Sequence, residues 1–206
     1  MPNFDFAALY EGRITFAELV KDVKQSDVHL LTDEFFSTIQ SIVAAVTDAD
    51  VVFFPQDPQT QEENGLGWPL SHVLVHITAT LEETAALAAM LARGVAVGDL
   101  PHYETLWKSK GGLSWYQTYV EGYLRYETPW ESIQTAAQFH AHLKEGQRMC
   151  NAFLDAWPDV PHLDVTFTRI PLFGSLNAPA HVMTGIFHAH MHLDQLRTTL
   201  QQAKDI

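Results

Sequence analysis

Residues 185–197, GIFHAHMHLDQLR, place three histidines within five positions. Their reading decides the fold, because a helix sorts them into an ordered set. At about 100° per residue, His181, His188 and His192 fall within about 40° of one another, and His190 falls about 160° or more from them. His190 shares its side with Asp194, Arg197 and Gln201. His188 and His192 share theirs with Thr199, between apolar shoulders of Val182, Leu193 and Leu196 on one flank and Phe187 and Met191 on the other. The pattern predicts that His188 and His192 point into a helical bundle and that His190 points to solvent. Two imidazoles at i and i+4 leave one face a turn apart and can chelate one metal ion.

A zinc site generally needs at least three protein ligands. The segment after Trp68 offers a second pair at the same spacing, His72 and His76. Its apolar face centres on Val73, Leu74, Ile77, Leu81 and Ala88. His76 borders that face and His72 turns further toward solvent, so His76 is the expected third ligand. Three histidines with an open position are suited to activating a bound water or a substrate thiol. The spacing also fits a polar helix face whose histidines bind nothing. His140, His142 and His162 show no partner pattern and read as surface or loop residues.

The same periodicity extends along the chain. Residues 5–24 read as one or two short helices, with Ile14, Leu19 and Val23 at helical spacing and Thr15 as a cap. Leu31, Phe35, Ile39, Ile42 and Val46 form one apolar stripe, which predicts a long helix from about Asp27 to Thr47. The stretch PQDPQTQEENGLG is a loop. A second long helix starts near Trp68 with Pro69 in its first turn and stops at Gly94. A third is expected from Thr128 and Pro129, through Gly146, to the residues before Pro158; the internal glycine costs about 1 kcal/mol relative to alanine. VTFTRIPLFG is a short strand pair or extended chain. A fourth helix opens at the cap Asn177 and runs to about Ala203. Four amphipathic helices with little strand signal predict a single all-α domain over 1–206, a four-helix bundle at 27–203 with a short N-terminal helical extension at 1–25.

Composition narrows the function. The chain has 206 residues and 47% hydrophobic residues, a globular composition. Twelve basic against 25 acidic side chains give a formal net charge of -13, which repels phosphate backbones and disfavours nucleic acid. Cys150 is the single cysteine, so neither an internal disulfide nor a cysteine-built zinc site is available. MPNFDFAALYEGR lacks the basic-then-apolar pattern of a signal peptide, and no uncharged apolar run approaches the roughly 18 residues of a membrane helix. A soluble, cytoplasmic protein is expected.

Two stretches together resemble the DinB-like superfamily of metal-binding helical bundles. GWPLSHVLVHITATLEE, 67–83, looks like the start of the family's second helix, where a tryptophan precedes the metal histidine by about eight residues. LNAPAHVMTGIFHAHMHLDQLR, 176–197, looks like its last helix, where HxxxHxxQ supplies two further ligands. The resemblance covers about 27–203. It implies a divalent metal ion, zinc or nickel first, held by His76, His188 and His192, with Gln195 as companion to the last. It also implies a bundle whose consecutive helices do not simply alternate in direction, and a homodimer. Relatives include thiol-dependent transferases, isomerases and hydrolases. The expected function is thus a metal-dependent thiol S-transferase or hydrolase acting on a small electrophile, with a small-molecule substrate or thiol as partner; the alternative is a bundle that binds metal or sequesters a small molecule without turnover. No catalytic residue is assigned.

Other residues can shape such a site. Tyr116, Tyr119, Tyr123 and Tyr126 recur at helical spacing within 103–126, as a packing stripe or as an aromatic wall that Trp107 and His102 can join. Thr80 and Glu83 share a helix face with His76; either can support a ligand or act as a base, and a solvated Glu83 is the expectation. Cys150 reads as core.

Overall fold

The computed structural model describes residues 5–56, 66–95, 130–168 and 173–205. The described residues are all-helical apart from isolated antiparallel bridges joining Gln56 to Leu66 and Phe167 to Leu176. The elements are α1 (Phe6–Tyr10), α2 (Phe16–Val20), α3 (Gln25–Ile42), α4 (Asp48–Val51), α5 (Leu70–Ala92), a 3₁₀ turn (Trp130–Ser132), α6 (Ala136–Asp155), α7 (Ala178–Met191) and α8 (Leu193–Lys204). The expected aromatic wall at 103–126, with His102 and Trp107, lies outside the described residues.

Short polar side chains set most of the helix starts. Thr15 and Glu18 form a reciprocal capping box at α2, and the Asn177 side chain accepts from the Ala180 N–H at α7. Gly94, at φ 80, ends α5 as expected. Three boundaries differ from the sequence expectation. The first long helix ends at Ile42, because Thr47 and Asp50 form their own capping box and start α4. Pro69 is the cap of α5 rather than a first-turn residue. The third long helix starts at Ala136: Thr135 and Gln138 form its box, and Asp48 accepts the Ala136 N–H at 2.7 Å. The segment 130–132 before it is a separate 3₁₀ turn.

Contacts between helices fix their directions. Thr78 meets His142 and Arg93 meets Ala156, so α5 and α6 run parallel. Gln40 meets Gln147 while Asp33 meets Gln147 and Asn151, so α3 runs against α6. Trp68 faces His192, and His76 meets His188, so α5 runs against the segment that holds α7. Consecutive long helices therefore do not alternate in direction.

Helix α5 is the centre of the core. Leu70, Val73, Leu74, Ile77, Ala88 and Leu91 are fully buried, against Phe36 and Ile39 of α3, Phe139 and Leu143 of α6, and Met183 and Ile186 of α7. Each large apolar side chain so buried contributes about 1.5–3 kcal/mol. Two glycines allow the close approach. A Cβ on Gly146 would lie 2.9 Å from Thr78 Cγ2, and one on Gly185 would overlap the Thr84 hydroxyl. That is the reason α6 carries an internal glycine. The N-terminal extension packs on α7 through Phe16, whose ring lies 5.9 Å from Phe187 and 4.7 Å from Phe173.

By length and composition α5 can cross a membrane, with a mean hydropathy of 1.3 over its most apolar window. Yet 89% of that window is buried inside the protein, and it contains Glu82 and Glu83. It is a core helix, buried among the other described helices.

Candidate metal centre

His76 sits on the second turn of α5. His188 sits on the last turn of α7, and His192 follows between α7 and α8. The expected fourth helix is broken at this histidine. The His192 N–H bonds to the Ala189 carbonyl at 3.1 Å, a tight three-residue turn, and regular helix resumes at Leu193. Neither His188 nor His192 is fully buried; both lie, like His76, at the edge of the core.

The three rings meet through their Nε2 atoms. His188 Nε2 is 3.2 Å from His76 Nε2 and 3.3 Å from His192 Nε2. One ligand atom from each histidine lies within 4.8 Å of the other two. Two nitrogens bound to one tetrahedral zinc at about 2.0–2.1 Å stand about 3.3 Å apart, so the spacing is that of a chelating set. Protonation agrees. His192 Nδ1 donates to Gln195 Oε1 at 2.8 Å, which leaves the lone pair on Nε2 facing the other rings. His76 is held far below the usual histidine value, at about 3; burial is the main cause, followed by the neighbouring His188, His192 and His72. It is therefore neutral and has a lone pair to give at neutral pH. Converging lone pairs repel one another and are satisfied by a cation. The residues fit a divalent ion.

The fourth histidine of the two spaced pairs, His72, takes another role. Its ring stacks on Trp68 at 4.2 Å with a 20° interplanar angle, and on Trp130 at 5.2 Å with 2°. It lies outside the converging set, as its position on the helix predicted. The Trp68 indole also stands edge-on to His76 at 5.1 Å and nearly parallel to His192 at 6.3 Å, so it walls the triad on one side. The triad was readable from spacing. The stack was not, because Trp130 arrives from a distant segment; its only sequence signal is a tryptophan beside Glu131 at the start of a turn.

Several other expectations are corrected. Glu83 is not solvated: it is 4% exposed, as Glu82 is 2% exposed. Thr80 directs its hydroxyl to the His76 carbonyl at 3.1 Å, so it ties down the backbone of α5 at the ligand. His142 is not a plain surface residue, since its Nε2 lies 3.0 Å from the Thr78 hydroxyl. His181, on the same helix side as the ligand pair, is fully buried and bonds the Phe167 carbonyl at 2.9 Å. Met191, placed on an apolar shoulder, is half exposed. His190 does reach the surface, but its ring rests edge-on to Phe35 at 5.1 Å; partial desolvation, then the Arg197 charge, lowers its pKa. Cys150 is buried, as read.

The described residues are helical and bring three histidines together, an arrangement that could hold a metal ion, and a comparison with protein families gives the family. The model of the DinB superfamily matches residues 10–196. The chain belongs to the DinB superfamily. No curated protein and no solved structure matches it.

Proposed function

We propose that this protein is a divalent-metal-dependent enzyme, a thiol-dependent S-transferase or a hydrolase acting on a small electrophile, built on a four-helix bundle in which α7 and α8 count as one broken helix. The observation that carries the reading is the convergence of His76, His188 and His192 through Nε2 at chelating distance. Zinc or nickel suits three imidazoles. A bound divalent ion supplies Lewis acidity and leaves positions for a small molecule.

The chain's own residues prepare the site. Gln195 holds His192 in the tautomer whose Nε2 can bind. Burial and the neighbouring rings keep His76 neutral. Thr80 fixes the turn of α5 that carries His76, and Trp68 excludes water from one flank. The reading is tested by turnover of a small thiol with an electrophilic acceptor, by the protein with one equivalent of zinc or nickel. Thiol consumption that disappears in His188→Ala supports it. Activity that survives in His188→Ala after the metal is gone defeats it.

A further inference from the structure

The three histidines of the triad are supported unequally. His76 and His188 sit within regular helix, on α5 and α7. His192 sits at the break between α7 and α8. The bond from its Nδ1 to Gln195 Oε1 at 2.8 Å fixes the tautomer. A ring held at one nitrogen can still tilt about that bond, and tilting carries the other nitrogen away from the metal position. Support against tilt has to come from the ring face.

A row of rings supplies it. The Trp68 indole lies nearly parallel to His192, at 6.3 Å and 17°. His72 stacks on Trp68 at 4.2 Å and 20°, and Trp130 stacks on His72 at 5.2 Å and 2°. The row is filled: the recess among these side chains is about 30 Å³, room for a water and too small for a ring to turn in. Its far end is anchored. Phe54 meets Trp130 edge-on at 6.1 Å, and the Trp130 carbonyl accepts from the N–H of Ile133, a core residue, at 3.0 Å. Its near end is anchored as well. Gly67, beside Trp68, donates to the Pro55 carbonyl at 2.7 Å, and Gln202 of α8 holds Gln56 through bonds of 2.9 and 3.0 Å. Stacked faces resist the tilt that an in-plane hydrogen bond leaves free.

We propose that Trp130 and His72 are positioning residues of the metal centre: neither belongs to the triad, and together they hold the Trp68 indole against His192, the ligand that stands at the helix break. The inference rests on the reading of the triad as a metal site, and it names what tunes that site from outside. Gln195 fixes His192 in the plane of its ring, and the row fixes it across the plane. The 3₁₀ turn that carries Trp130 is thereby linked to metal affinity through two intervening rings.

The test compares the full-length parent with Trp130→Leu, which keeps an apolar side chain but no flat face, and Trp130→Phe, which keeps the face. Zinc affinity is measured by competition with a chelator. Trp130→Leu should bind zinc about three- to ten-fold more weakly, and Trp130→Phe should return to within about two-fold of the parent. His72→Phe, a flat ring without a nitrogen, should also stay within about two-fold. A second readout uses the metal-free proteins. The His192 ring protons, assigned from His192→Ala, should be displaced by the ring current of Trp68; Trp130→Leu should lose that displacement and Trp130→Phe should keep it. Parent affinity in Trp130→Leu, equal weakening in Leu and Phe variants, or a His192 displacement that Trp130→Leu leaves unchanged overturns the positioning role. The two readings fail separately. A parent that takes up no zinc defeats the metal enzyme, and the metal-free spectra then decide the positioning role by themselves; tight zinc with an unchanged His192 signal in Trp130→Leu does the reverse.

Discussion

Two segments of this chain each carry a pair of histidines four residues apart, and the fold uses the pairs differently. At the end of α7, His188 and His192 stay together, and their Nε2 atoms lie 3.3 Å apart. On α5, the pair divides: His76 turns toward the triad, and His72 is held between two indoles. The spacing is identical. What differs is the surroundings. The helix tightens at His192, and Gln195 reaches back one turn to orient its ring. Near His72 the neighbours are Trp68 and Trp130, which offer flat faces rather than a nitrogen ligand. Four-residue spacing puts two imidazoles on one side of a helix, and the elements packed against that side decide which of them meet a third.

The largest expected effect removes a ligand from the pair that stays together. His192→Ala should reduce metal content from about one ion per chain to background, since two histidines rarely retain zinc; mass spectrometry of the purified variant checks it. Next comes the support of that pair. Gln195→Ala leaves the three rings but frees His192, and metal affinity should fall about 10- to 100-fold in a competition titration with a chelator. A third change acts through packing. Gly185→Ala drives a methyl group into Thr84 and pries α7 from α5, so it should cost about 1–3 kcal/mol, read from the shift of the denaturant midpoint.

A smaller effect follows from proton linkage at the member of the divided pair that faces inward. Folding holds His76 at about 3, against about 6.5 in an unfolded chain. Between those values the unfolded chain binds a proton that the folded chain refuses. The metal-stripped protein should therefore lose stability as pH falls from about 6.5 toward 3, with no contribution from this group above that window. The loss should shrink in His76→Ala, as unfolding near pH 7 and near pH 5 would reveal. The smallest change in metal content is expected for His72→Ala, which keeps the ion while disturbing the stack.

Much of this was legible in the sequence because it depends on local spacing. The His188–His192 pair, the choice of His76 over His72, the caps Thr15 and Asn177, and the stop at Gly94 all follow from residues within a turn or two. The start of α6 was misplaced although Thr135 and Gln138 carry a capping-box signal; Pro129 competed with it. The end of α3 was misplaced because Val46 continues the apolar period while Thr47 and Asp50 start a new helix. Features that need two distant segments were out of reach. The stack of Trp68, His72 and Trp130 is one. The burial of Glu82 and Glu83 is another, since α5 is enclosed on more sides than its own period reveals.

The most direct test counts the metal in untagged protein purified without added metal or chelator, beside His76→Ala and His72→Ala. About one zinc or nickel ion per chain in the parent and in His72→Ala, with loss in His76→Ala, is the predicted result. A parent that holds no ion and takes up none on titration, or an ion lost from His72→Ala but kept in His76→Ala, would contradict the assignment of the triad.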